Sequence, residues 1–132
     1  MRSLRYLIAA LAVGLVASGC SRPMLQTKGR VLKGGQPFLA KEGEFVRVTF
    51  VPVTDGGRAP DYFVAEVNRE DSTFRVAGKD GRGMPPGKYR VAVELDRHRS
   101  DLLKGAFNAE RSPFVFDVDD RTPEIVIDLD KR

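Results

Sequence analysis

Short alternating segments, separated by clusters of glycine, proline and aspartate, constrain the fold of this chain more than any other feature. Within each segment apolar and polar residues alternate, which is typical of strands that bury one face. Seven segments of this kind follow residue 27, and they lie at residues 29–33, 44–53, 63–67, 74–76, 88–95, 114–118 and 125–129. The pattern predicts an all-β domain, and seven short strands favour a β-sandwich over an α/β arrangement.

One short helix is predicted within this domain, over residues 101–109. Its apolar residues Leu102, Leu103 and Phe107 would cover one end of the sandwich. Gly105 weakens the helix, so we expect only one or two turns. The predicted domain comprises residues 27–132, close to the size of about 100 residues that is common for β-sandwiches.

The N-terminus has the three parts of a secretory signal. Arg2 and Arg5 form a basic start, an apolar run follows over residues 6–16, and small residues lead to Cys20. The run is shorter than the roughly 20 apolar residues that a transmembrane helix needs. We therefore expect residues 1–19 to be a cleaved signal peptide and residues 20–26 to be a tether.

The small residues before the cysteine resemble the lipobox of bacterial lipoproteins, since they read Val16-Ala17-Ser18-Gly19-Cys20. The resemblance implies a diacylglyceryl group on the Cys20 thiol, cleavage before Cys20 and acylation of the new amino terminus. Ala17 departs from the family pattern, in which leucine is commonest at this position. An ordinary secretory signal with a chance cysteine is the alternative. Cys20 is the single cysteine of the chain, so it has no disulfide partner.

This interpretation predicts membrane attachment without a transmembrane helix, because two or more acyl chains anchor a protein stably. We expect the domain at the cell membrane or the outer membrane, facing an extracytoplasmic compartment. Ser21 follows Cys20, where an aspartate retains many lipoproteins at the inner membrane. With Ser21 at this position, the chain therefore resembles lipoproteins that follow the default route to the outer membrane.

The net charge of +4 belongs partly to the signal peptide. Residues 1–19 hold two of the 22 basic residues and no acid, which leaves 20 basic and 18 acidic residues, a net charge of +2. Both signs are interspersed, whereas a nucleic-acid interface needs clustered Lys and Arg. We expect no nucleic-acid partner. A modest basic cluster, Arg97, His98, Arg99 and Lys104, would contact lipid phosphates or an acidic partner, although a solvated charged loop is the simpler interpretation.

Candidate catalytic and metal-binding residues are few. His98 is the only histidine and would act as a base only in a cleft that also gathers Ser100 and an aspartate. Triads are assembled from distant segments, so we predict no catalytic residues and no enzyme activity. One histidine and a lipidated cysteine cannot build the usual zinc site. We therefore predict no metal and no cofactor.

Aspartates near the C-terminus raise the question of a calcium site, since calcium prefers carboxylate oxygens. They are Asp117, Asp119, Asp120, Asp128 and Asp130. The sequence contains no D-x-D-x-D-G loop. Residues 119–123 are interpreted more simply as a hairpin turn.

Four further sequence segments resemble segments of transthyretin-like and carboxypeptidase-regulatory-like domains, and they occur in the same order along the chain. They are Gly29-Arg30-Val31 with Gly35-Gln36-Pro37, Val48-Thr49-Phe50-Val51-Pro52, Ser72-Thr73-Phe74-Arg75-Val76 and Pro86-Gly87-Lys88-Tyr89-Arg90-Val91. Ser72 stands where the family usually has glycine, and single phrases of this kind also arise from turn chemistry. The C-terminal part adds Asp101-Leu102-Leu103-Lys104-Gly105-Ala106-Phe107, Ser112-Pro113 and Ile125-Val126-Ile127-Asp128-Leu129. With the lipobox in front, this combination covers nearly the whole mature chain and looks like the planctomycete-type small lipoproteins.

The resemblance implies a prealbumin-like Greek-key sandwich that serves as a binding or structural module, and it supplies no catalytic residues. We expect a membrane-anchored envelope protein with a protein or glycan partner. The alternative is a small-ligand carrier of the transthyretin type, which needs an apolar pocket with a few polar groups. A hydrolase is the third interpretation and requires a cleft around His98.

Overall fold

A computed structural model describes residues 23–54 and 61–131, and the regular elements in these residues are all β-strands. The strands are β1 (Lys28–Lys33), β2 (Gln36–Pro37), β3 (Phe45–Pro52), β4 (Phe63–Glu66), β5 (Thr73–Arg75), β6 (Gly87–Arg97), β7 (Ser100–Asp101), β8 (Val115–Val118) and β9 (Ile125–Asp128). The predicted all-β class is confirmed. The described residues contain nine strands rather than seven, because β2 and β7 are additional strands of two residues each.

The strands form two sheets. In the first sheet, β1 pairs in parallel with β9 on one side, and β5 and β2 pair antiparallel with its two ends on the other. In the second sheet, β3 lies between β4 and β6. The far side of β6 pairs with β8 near its start and with β7 at its end.

One apolar core lies between the two sheets, which is consistent with a β-sandwich. The alternation along β3 buries Val46, Val48 and Phe50 and turns the residues between them outward. The Phe50 ring lies 6.0 Å from the ring of Phe74 in the first sheet. It lies 6.0 Å from the ring of Tyr89 in its own sheet. Phe50 therefore joins the inner faces of both sheets.

The chain passes from the second sheet to the first through a tight corner at Ser72. Ser72 is buried and has a φ of 63°, a left-handed conformation that favours glycine. Its N–H donates to the Asn68 carbonyl at 2.9 Å, and its hydroxyl donates to the Val31 carbonyl. The hydroxyl thus gives serine a buried hydrogen bond at a position whose backbone conformation favours glycine.

The predicted helix over residues 101–109 is wrong, because this segment forms successive turns. Lys104 and Gly105 both have positive φ, at 54° and 71°, which interrupts a right-handed helix. The Phe107 carbonyl accepts a hydrogen bond from the N–H of Val93 at 2.9 Å, at the edge of β6. The β6 edge also accepts a hydrogen bond from the segment, because the N–H of Leu102 donates to the Leu95 carbonyl at 2.8 Å. Leu103 and Phe107 pack against the core as expected, whereas Leu102 is 42% exposed.

The turn at residues 119–122 also differs from the prediction. The Asp119 carboxylate accepts the N–H of Arg121 at 2.8 Å, and the Thr122 hydroxyl accepts the N–H of Asp119 at 2.8 Å. The turn exists, but the strands on its two sides belong to different sheets. It is therefore a crossing between sheets and not a hairpin.

Candidate functional site

The predicted lipidation site, Cys20, lies outside the described residues, as do the predicted signal peptide and the first part of the tether. The described chain begins at Pro23 and is fixed to the fold at Leu25. The N–H of Leu25 donates to the Met84 carbonyl at 2.8 Å, and the N–H of Met84 donates to the Leu25 carbonyl at 2.9 Å. Met84 is fully buried, so this attachment point is part of the folded domain.

Exposed apolar side chains lie at the same end of the domain as the attachment point, because Val53 lines a cavity with Pro85 and Tyr62 lines one with Gly78 and Lys79. We call this end of the domain the tether pole and define it by Met24, Val53, Tyr62, Lys79 and Met84. Met24, Val53 and Tyr62 are 39, 42 and 64% exposed. Tyr62 and Lys79 line one surface cavity, and the Lys79 ammonium lies 3.2 Å from the Asp61 carboxylate. The chain segment from Lys79 to Met84 runs from this cavity to the attachment point.

The opposite end carries an exposed aromatic ring and a basic hairpin. We call it the distal pole and define it by Phe45, Arg69, Arg97, His98 and Arg99. β6 leads from the tether pole to this end, and the ten steps from its first to its last residue span about 33 Å at ~3.3 Å per step. Phe45 is 60% exposed, and the Arg69 guanidinium lies 5.7 Å from its ring centroid, within the range of a cation–π interaction.

A surface groove of about 650 Å³ adjoins Phe45 and Arg69 at the distal pole. Its walls are residues 45–47 of β3 and residues 66–70, which lead out of β4. The charged side chains in the groove are of both signs, Arg47 and Arg69 against Glu66 and Glu70. An aromatic ring beside arginine is a composition enriched at protein interfaces.

His98 lies at the tip of the hairpin between β6 and β7. His98 and Arg99 form its two-residue turn and have φ values of 50° and 65°, which is typical of a type I′ turn. Within the described part of the chain, no hydrogen bond joins His98 to Ser100 or to Asp101. The Asp101 carboxylate instead accepts the N–H groups of Leu95, Leu103 and Gly105 at 2.9–3.0 Å. These contacts give Asp101 a structural role in the turn segment.

The predicted basic cluster is only partly a unit. Arg97, His98 and Arg99 lie together on the hairpin, and all three are exposed. Lys104 belongs to the following turn, where its N–H donates to the Asp101 carbonyl at 3.0 Å. The structure places this cluster at the distal pole, away from the point where the tether joins the domain.

The aspartates considered for calcium are separated by the fold. Asp117, Asp119 and Asp120 lie at and after the end of β8, whereas Asp128 is the last residue of β9 and Asp130 follows it. Across residues 23–54 and 61–131, no group of three or more His, Cys, Asp or Glu residues is arranged to hold a metal ion. The Asp128 carboxylate binds backbone N–H groups, at 3.1 Å from Gly34, 2.9 Å from Gly35 and 3.0 Å from Asp130.

These contacts predict a pH-dependent stability. Hydrogen bonds from Asp130, Gly35 and Gly34 hold the pKa of Asp128 below its ordinary value. A carboxyl whose pKa is lowered by folding stabilises the protein above its unfolded pKa, about 3.9, and this contribution is lost as the pH falls through the folded pKa. We expect Asp128→Asn to lower the melting temperature by several degrees at pH 7, and this difference from the wild type should shrink below pH 4. Thermal unfolding between pH 7 and pH 2 measures it.

The control for this experiment is Asp130→Asn, because Asp130 is exposed and lies two residues away. Its difference from the wild type should stay small at all pH values. The pKa values of Asp71, Asp80 and Glu124 are also lowered, by hydrogen bonds from Thr73, Arg82 and Arg30. These groups contribute equally to the pH dependence of stability in the wild type and both variants. Their contributions therefore cancel in the differences between the proteins. A difference for Asp128→Asn that is constant down to pH 2 would contradict the role assigned to this carboxylate.

Sequence reasoning missed Phe45 and Tyr62 as exposed aromatic residues. The signal was available for Phe45, because the alternation that buries Val46 turns Phe45 outward together with Arg47. Tyr62 directly precedes β4, in which Ala65 is buried and Val64 exposed, so the same parity places Tyr62 on the outer face.

Comparisons of this chain with protein-family models, with curated proteins and with solved structures gave no match. In the part of the chain that the structure describes, no helix has the length and apolar character to cross a membrane.

Proposed function

We propose that the chain is a lipid-anchored protein of the cell envelope whose β domain is a non-catalytic binding or structural module. The observation that carries this proposal is the position of Leu25. Five residues after the predicted acylated Cys20, the chain is already fixed by two backbone hydrogen bonds at one end of the domain. That arrangement suits a domain held close to a membrane, at the cell membrane or the outer membrane and facing an extracytoplasmic compartment.

We also propose that the two sheets form a prealbumin-like Greek-key sandwich. The order of the strands supports this topology, because the chain crosses repeatedly between the sheets. β1 and β2 belong to the first sheet, β3 and β4 to the second, β5 to the first, β6 to β8 to the second, and β9 to the first. The last strand then lies parallel beside β1, so both ends of the domain sequence meet in one sheet.

The packing favours a binding surface over the buried pocket of a small-ligand carrier. Phe50, Met84 and Tyr89 are at most 2% exposed and occupy the space between the sheets. The Tyr89 hydroxyl donates to the Pro85 carbonyl at 2.5 Å, which satisfies its polar atom. The cavities described above are grooves open to solvent. A protein or glycan partner, rather than a ligand enclosed between the sheets, is therefore the proposed occupant.

Replacement of Cys20 tests the anchor. We expect the wild-type chain to incorporate labelled palmitate and to accumulate as an unprocessed precursor in cells treated with globomycin. Cys20→Ser should abolish both effects, because the thiol that carries the diacylglyceryl group is absent. Gel autoradiography of the immunoprecipitated protein measures the labelling.

Ser21→Ala is the matched control, since it changes the neighbouring residue and leaves the thiol in place. It should be labelled like the wild type. Undiminished labelling of Cys20→Ser, or the absence of labelling in the wild-type chain, would overturn the proposed anchor.

A further inference from the structure

We propose that the tether pole lies directly on the bilayer surface, with Met24, Val53 and Tyr62 in the headgroup layer, and that the distal pole projects away from the membrane. The inference rests on the proposed acylation of Cys20. It adds an interaction surface, a lipid bilayer as its partner and an orientation of the domain.

The length of chain between the anchor and the fold selects this pole. Cys20 and Pro23 are three residue steps apart, which limits the distance between their Cα atoms to about 11 Å at 3.8 Å per step. Leu25 follows at once and is hydrogen-bonded to Met84. The acyl chains would hold Cys20 at the membrane interface, so the tether pole cannot move far from the headgroups.

The side chains of the tether pole suit the headgroup layer. Tyrosine is enriched at membrane interfaces, because its ring is apolar and its hydroxyl is polar. Tyr62 is 64% exposed, and Val53 and Met24 add apolar surface at the same pole. The folded domain itself leaves these side chains in water, and contact with lipid would bury them.

Insertion of these side chains, rather than attraction of charge, is the expected basis of the contact. Two basic residues near the attachment point are already in ion pairs, Lys79 with Asp61 at 3.2 Å and Arg82 with Asp80 at 2.8 Å. The cavity beside Leu25 is lined by Asp119, Asp120 and Glu124 as well as by Lys28, so charges of both signs lie at this pole. Lipid contact there should therefore depend little on anionic lipid or on salt.

In an upright orientation Tyr62 and Phe45 lie at different distances from the bilayer, although both side chains are aromatic and similarly exposed. Tyr62 is 64% exposed and Phe45 is 60% exposed. The register pairs Phe63 with Phe50, which places Tyr62 opposite Val51, six residues along β3 from Phe45. The two aromatic positions therefore differ by about 20 Å along the strand, at ~3.3 Å per residue.

Tryptophan fluorescence tests the orientation, because the chain contains no tryptophan. Tyr62→Trp and Phe45→Trp are made in the full acylated chain, and each protein is reconstituted into phosphatidylcholine vesicles. Some vesicles contain phosphatidylcholine brominated on the acyl chain near the headgroup, which quenches a neighbouring indole. We expect Tyr62→Trp to be quenched several-fold more than Phe45→Trp, with little change when salt is added. Val53→Trp is a second variant of the tether pole, in case Tyr62→Trp does not fold.

Flotation of the vesicles separates the two proposals. Protein that floats with the vesicles but shows no quenching at either Tyr62→Trp or Val53→Trp overturns the orientation and leaves the anchor standing. Equal quenching of Phe45→Trp also overturns it, since the domain would then lie on its side. Protein that fails to float overturns the anchor and the orientation together.

Discussion

Alanine in place of Phe50 is expected to lower the free energy of unfolding by about 3–5 kcal/mol. The Phe50 side chain is fully buried, and its ring lies 6.0 Å from the rings of both Phe74 and Tyr89. Its removal would leave a cavity between the two sheets, where neighbouring strands cannot collapse freely. Domains of this size have a total stability of about 5–15 kcal/mol, so the loss would be a large fraction. Urea-induced unfolding followed by circular dichroism measures it.

Phe45→Ala is the matched control, because it removes the same side chain from the same strand. Phe45 is 60% exposed, and the Arg69 guanidinium lies 5.7 Å from its ring centroid. We expect this variant to lose less than about 1 kcal/mol, the scale of a surface substitution combined with an exposed cation–π contact. Equal losses for the two variants would contradict the placement of the core on the Phe50 side of β3.

The different roles of these two phenylalanines could be predicted from the sequence, because successive side chains of a strand point to opposite faces. The period of two along residues 45–52 separates Val46, Val48 and Phe50 from Phe45 and Arg47 without any knowledge of the partner strands. The same local rule locates the other long strands and the all-β class. Burial therefore follows from sequence where it depends only on parity along one strand.

The turn segment after β7 shows where such local rules end. Its apolar residues predict a short helix, but the N–H of Val93 on β6 needs an acceptor, and the carbonyl of Phe107 supplies it. The Asp101 carboxylate also accepts the N–H of Leu95 on β6 and the N–H groups of Leu103 and Gly105 within the segment. The partners on β6 are supplied by tertiary structure rather than by the segment's own sequence, so its helical propensity is overridden. The crossing at residues 119–122 follows the same logic, because turn chemistry does not state which sheet receives the next strand.

The candidate site also has a part that the sequence predicts and a part that it does not. Cys20 is predicted from a motif alone and stays a prediction, since it lies outside the described residues. The two poles could not be predicted, because Met24 and Tyr62 are placed at one end only by the pairing of Leu25 with Met84 and by the registers of β3 with β4 and β6. The aromatic residues were visible in the sequence, but their separation along the strands was not.

Alanine in place of Gly29 is expected to destabilise the domain by about 3 kcal/mol, although Gly29 lies in a regular strand. Gly29 is buried in β1, paired with Phe74 on one side and Ile125 on the other. A Cβ atom at this position would overlap the Ile125 carbonyl oxygen and lie 2.6 Å from Cζ of Phe74. Neither neighbour can move freely, because one is backbone of a paired strand and the other is a core ring. Chemical denaturation measures the loss.

Gly35→Ala separates this steric effect from the conformational freedom of glycine. Gly35 has a φ of 78°, and a Cβ atom there would meet no other atom within 4 Å. Only the cost of a left-handed backbone applies, about 1–2 kcal/mol. The expected order is therefore a larger loss for Gly29→Ala, whose backbone is extended, than for Gly35→Ala, whose backbone is strained. The reverse order would mean that β1 and β9 are less closely paired than the register requires, because a loosely packed β9 would move aside for one methyl group.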